Sequence, residues 1–191
     1  MQGKKLVYIV IALLVIAALY LGVSYNGLVK KDELVKLQWN EVQNVYQRRL
    51  DLVPNLVQIV KGGADYEKTT LEKIAAARAS AASGISSNAF DAQTKAQNEV
   101  AVATNRLLIN VENYPVLQGT RAFKDLQVQL EGTERRVKFA RKDFNAAIAT
   151  YNSSVRSFPT SIAAKLFGFA AKEGFTSDAG AENAVEINFK K

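Results

Sequence analysis

The side chains of this chain that could do chemistry are carboxylates, lysines, arginines, tyrosines and serines; among 191 residues there is neither a histidine nor a cysteine. That removes imidazole acid/base catalysis, thiolate nucleophiles and thiolate-metal sites together. Carboxylate di-metal centres of helical proteins are excluded with them, because they need Glu-x-x-His pairs. No glycine-rich phosphate loop or nucleophile turn is present. No catalytic, metal-binding or cofactor-binding residue is therefore assigned. The spacing that demands an explanation is RRLDLVPNLV at 48–57, where Arg48, Arg49, Asp51, Pro54 and Asn55 are threaded through aliphatic residues. A proline inside a helix costs about 3 kcal/mol.

The element that carries this block is a helix. Val35, Trp39, Val42, Tyr46, Val53, Leu56 and Val60 recur in steps of three, four and seven, and Arg49 is the one polar gap in that stripe. The phase survives Pro54, so the spacing predicts one helix over about 28–61 rather than two. An unpaired charge at position 49 would cost several kcal/mol, so Arg49 should meet a carboxylate from a facing helix. Glu131 and Glu134 are the first candidates and Glu99 the second. Pro54 takes away the hydrogen bond to the carbonyl of Leu50, and Asn55 is placed to serve the freed backbone or a neighbouring helix.

Three further helices are expected. One follows Gly62-Gly63 over 66–82 and ends in the SGISSN loop, and the next is capped by Asn88 and runs to about 113. The last starts at Thr120 and carries Phe123, Leu130, Val137, Phe144, Tyr151 and Phe158 at intervals of seven, with Leu126, Thr133, Ala140, Ala147 and Ser154 between them. The fold class is all-α: an N-terminal transmembrane helix followed by an antiparallel four-helix bundle of long helices.

The membrane assignment rests on Leu6 to Val23, an uncharged apolar run that as a helix reaches about 27 Å. Tyr8, Tyr20 and Tyr25 lie near its ends, where amphipathic rings favour the headgroup region. Lys4 and Lys5 precede it and Lys30, Lys31 and Lys36 follow, a balance that leans toward a cytoplasmic domain without fixing the side. The organisation is a basic flank at 1–5, an anchor at 6–23, a helical bundle at 24–169 and a flexible tail at 170–191. Within these, Ser161 to Phe169 is a short apolar segment suited to capping the bundle or to lying on lipid, and Ala184 to Phe189 alternates as a strand that could add to a partner's sheet.

Tyr25-Asn26-Gly27-Leu28-Val29, Trp39, the 48–57 block, Ala77-Arg78, Leu126-Gln127, Leu130 to Glu134, Tyr151-Asn152 and Phe158-Pro159 through Phe169 together resemble the LemA family of bacterial membrane proteins. The resemblance covers nearly the whole chain in order, and the 48–57 block is its most specific part. At 62–67 the chain departs from the family's usual Lys-Gly-Tyr-Ala and His-Glu, so a role for that histidine in relatives cannot apply here. The resemblance implies a helical bundle on a single anchor in the bacterial cell membrane, without an established catalytic activity. Magnetosome-associated members of the family add membrane organisation as a theme.

The formal charge of +7 raises nucleic acid as a partner, but acids interleave with the bases. Glu131 with Arg135 and Glu134 with Lys138 have the spacing of paired charges on a solvated helix face. The expected role is a non-catalytic, single-pass interaction or scaffold protein. Its partners are membrane lipids through the anchor, an unidentified protein and copies of itself, with no nucleic acid. A lipid-interacting protein that shapes or senses the bilayer is the alternative.

Overall fold

The computed structural model describes residues 2–63, 68–86, 90–111 and 115–176. Among them the chain is helical, with no strand: α1 (Gln2–Gly63), α2 (Lys68–Ser86), α3 (Phe90–Val111), α4 (Pro115–Gly119), α5 (Arg121–Arg156) and α6 (Thr160–Leu166). The chain divides into two units, residues 1–36 with 143–191, and residues 37–142.

Helix α1 is continuous from the apolar run to Gly63 and passes through Pro54. Its first part is long and apolar enough to cross a membrane, and none of its most apolar window is buried.

In the unit of residues 37–142 the core gathers Leu50, Val53, Leu56 and Val60 from α1, Leu71, Ile74 and Ala81 from α2, and Ala96, Val100 and Leu107 from α3. Leu117 of α4 and Phe123, Leu126 and Leu130 of α5 complete it. The start of α5 is fixed by Thr120, whose Oγ1 accepts from the Phe123 backbone N–H at 3.3 Å, as an N-cap should. Along α5 the expected stripe is buried from Phe123 through Tyr151, and Thr133 within it donates its hydroxyl to the Gln129 carbonyl at 2.9 Å.

In the unit of residues 1–36 and 143–191, Leu28, Val35, Phe144, Ala147, Ile148, Tyr151, Ala163 and Ala164 are buried. Of the expected tail at 170–191, residues 170–176 are described and are bonded to α5, and residues 177–191 lie outside the described residues. The Asn152 side chain accepts the Lys172 N–H at 2.8 Å and donates to the Lys172 carbonyl at 2.8 Å. One heptad earlier Asn145 does the same to Phe175, at 2.9 Å each way. A side-chain amide thus meets a backbone amide as one strand meets another, and Lys172 Nζ adds an ion pair to Asp32 at 2.6 Å. The Phe175 ring packs edge-on against Phe144 with centroids 5.6 Å apart.

Three further points are local. Residues 83–86 continue α2 instead of opening a loop. Pro115 starts the short helix α4 between the helix expected to end near 113 and the one that begins after Thr120. Phe158, the last of the seven-spaced series, falls beyond the end of α5 and is 81% exposed. Gly62-Gly63, expected as a corner or as part of a continuous rod, are the last two residues of α1, and residues 64–67 after them, Asn88 as a cap and the alternating segment at 184–189 lie outside the described residues.

Candidate functional site

The 48–57 block splits by helical rotation, about 100° per residue. Arg48, Asp51 and Asn55 face out, Pro54 is half-buried, and Arg49 is only 3% exposed, lodged between Val45, Tyr46 and Val53 on the buried side. Asp51 accepts from Gln47 Nε2 at 2.8 Å on the open face.

Arg49 reaches α5 and α3. Its Nη2 meets Glu134 Oε2 at 2.6 Å and its Nη1 donates to the Gln97 carbonyl at 3.2 Å, while its Nε has no partner. Burial pushes the Arg49 pKa down and the Glu134 carboxylate opposes that. Arginine starts so high that it keeps its charge. The Glu134 side chain is 47% exposed, so the pair has one dry and one wet partner. Of the acids singled out from sequence, Glu134 is the one brought to Arg49; Glu131 accepts from Gln127 Nε2 at 3.2 Å on the surface, and Glu99 is exposed.

The carbonyl that Pro54 leaves without a helical donor is served from α2. Arg78 Nε donates to the Leu50 oxygen at 3.1 Å. Asn55, the expected servant of that backbone, points to solvent. Proline and Arg78 are therefore two halves of one contact between α1 and α2.

A second arginine lies beside the first. Arg141 Nε donates to the Tyr46 hydroxyl at 3.0 Å, its Nη2 to Asn98 Oδ1 at 3.0 Å, and its Cζ stands 5.6 Å from the Tyr46 ring centroid. Burial pushes the Tyr46 pKa up, against the opposing effect of Arg141 and Arg49. Arg141 is thus half-buried, whereas Arg135, Arg136, Lys138 and Lys142 are exposed. The signal for it was Glu134, Lys138 and Arg141 at i, i+4 and i+7 on one face of α5.

These side chains frame an open cleft of ≈ 230 Å³ lined by Arg49, Glu134, Val137, Lys138 and Arg141. Three cations face one carboxylate, so the cleft suits an incoming anionic group. Gln97, whose carbonyl accepts from Arg49, is fully buried with both side-chain amide atoms unpartnered; elsewhere on α3 the buried hydroxyl of Thr104 is unpartnered too. Among the described residues no group of three or more acidic side chains is placed to hold a metal ion.

The sequence profile of the LemA family matches residues 38–189. Curated relatives include Magnetosome protein MamQ 2 of Paramagnetospirillum magneticum (strain AMB-1) and Magnetosome protein MamQ of Magnetospirillum gryphiswaldense (strain MSR-1). Each is 36% identical over 73 residues, which make up 38% of this chain and 27% of the relative. The match thus spans about a quarter of those relatives' length.

Proposed function

Since this chain belongs to the LemA family, with residues 38–189 matching its profile, we propose that it is a membrane-anchored, non-catalytic interaction module. The observation that carries the reading is α1 itself: one helix bears a wholly exposed apolar stretch and then contributes Leu50 to Val60 to a buried core. In water an exposed run of that length is costly at about 25 cal/mol per Å², and a bilayer removes the cost. The four long helices α1, α2, α3 and α5 form an antiparallel bundle behind a single-pass anchor in the bacterial cell membrane.

The working surface is the cationic cleft, which receives a carboxylate of a protein partner or of a second copy of the chain. Arg49 is buried and Arg141 half-buried, and both are held by neighbours, so they lose little freedom on binding. No catalytic role is assigned, because the cleft holds charge complementarity without a nucleophile and base in register. A photo-crosslinking residue in place of exposed Lys138, used in intact cells, tests this. A discrete protein adduct that disappears with Arg141→Gln supports the reading; adducts indifferent to Arg141 contradict it.

A further inference from the structure

Helix α6 is built the wrong way round for a helix that faces water. Its buried residues are the small Ala163 and Ala164, while Ile162 (56% exposed) and Leu166 (66%) stand one turn apart on the open side. Phe158 before the helix and Phe167 (44%) after it are exposed as well. Surface helices ordinarily turn their large apolar side chains inward, and an exposed apolar cluster marks a surface that meets protein or lipid.

What α6 is attached to decides between these. The Tyr20 hydroxyl and Thr160 Oγ1, at the first residue of α6, are hydrogen-bonded at 3.2 Å. The Tyr25 ring meets Phe167 and Phe169 edge-on, with centroids 4.9 and 5.8 Å away. Tyr20 belongs to the apolar run and lies three residues from its end at Val23. At 1.5 Å per residue, the start of α6 is level with a point about 5 Å inside the end of that run. Helices that lie in the membrane interface bury their apolar face about 5–10 Å deep. Lys165, exposed between Ala164 and Leu166, has the long stem that lets an ammonium stay at the headgroups while its neighbours enter. Tyr20 and Tyr25 are the ring types that favour the same layer.

We propose that α6 with Phe158 and Phe167 is an interfacial foot, seated in the boundary between headgroups and acyl chains of the bilayer that α1 crosses. The inference rests on α1 being a membrane span. The chain then holds the membrane at two points, a span and a monotopic helix joined through Tyr20, Tyr25 and Thr160.

The test uses the full chain in lipid vesicles, with its one tryptophan removed by Trp39→Phe and a single reporter installed by Leu166→Trp or, separately, Ile162→Trp. Both sites are exposed, so the fold tolerates the change. Leu13→Trp reports the span independently. In vesicles whose acyl chains carry bromine near the carbonyl end, emission from Leu166→Trp and Ile162→Trp should fall about two-fold or more relative to unbrominated lipid. Quenching of Leu13→Trp by deep bromines, with no quenching of either α6 reporter at any depth, overturns the foot and leaves the span standing. Blue-shifted but unquenched α6 emission also overturns it, because the cover is then protein. An unquenched Leu13→Trp overturns the span and the foot together.

Discussion

Arg78 donates to the backbone oxygen of Leu50 at 3.1 Å, on the carbonyl that Pro54 deprives of its helical donor. A proline in the middle of a long helix is thereby turned into an acceptor for the neighbouring helix, which offsets part of its cost. Arg78→Met should destabilise the full chain by about 1–2 kcal/mol, since it strands a partly buried carbonyl. In a Pro54→Ala background, where residue 54 regains its N–H, the same change should cost about half as much. Urea melts of the four variants in detergent measure this; equal losses in both backgrounds would separate Pro54 from Arg78.

Arg49 and Glu134 should respond unequally to mutation. Glu134→Ala leaves a dry guanidinium facing the cleft and should cost about 1–3 kcal/mol, below the about 3–5 kcal/mol of breaking a fully buried pair because the carboxylate is half in water. Arg49→Leu removes the charge and extends the apolar stripe, so its loss should be smaller. Thermal melts by circular dichroism check the order. If Arg49→Leu also keeps the fold but abolishes the Lys138 adduct, the arginine serves the partner as well as the core.

The held segment 170–176 carries a pH dependence. Burial pushes the Asp32 pKa up, but hydrogen bonds and charges from Lys172 and Lys36 outweigh it and leave Asp32 below the ordinary 3.8. A depressed pKa means the stabilisation is complete above the unfolded value and fades as pH falls through the folded one. Amide exchange at Lys172 and Phe175 should therefore be slow at about pH 6 and accelerate, after correction for intrinsic rates, toward about pH 3. Asp32→Asn should flatten that profile.

Gly174→Ala tests the clamp from the other side. A Cβ at residue 174 would stand 2.5 Å from Asn145 Oδ1, the atom that accepts the Phe175 N–H. Limited proteolysis should cut near 174 faster in Gly174→Ala and in Asn152→Ala than in the parent. Cleavage at parental rates would mean that Lys172 and Asp32 hold the segment without the asparagines.

Legibility in the sequence followed periodicity. The stripe from Val35 to Val60, its interruption at Arg49, the seven-residue series to Tyr151 and the Thr120 cap were readable because burial repeats along one helix and caps are local. The acid that answers Arg49 could be narrowed to a few candidates, because an internal charge needs an opposite one. What periodicity does not encode is which helix lies against which, so the bond from Arg78 to Leu50 was invisible. The role of Asn145 and Asn152 is not encoded in periodicity, because their partners Phe175 and Lys172 lie in a segment without regular structure. Arg141 is not marked by periodicity either, because its hydrogen bonds go to Tyr46 and Asn98, far away in sequence. The phase that carried Phe158 inward held only as long as the helix did, and α5 ends at Arg156.

Alkaline carbonate extraction of cell membranes tests the central claim most directly, comparing the full chain with a form that lacks residues 2–23. Carbonate strips peripheral contacts, including an interfacial foot, but leaves a membrane-spanning helix in place. The expected result is that the full chain stays in the pellet and the shortened form is released with its helical circular dichroism intact. Release of the full chain into the supernatant, or recovery from cells of a mature form cut after the apolar run, would contradict the anchored module.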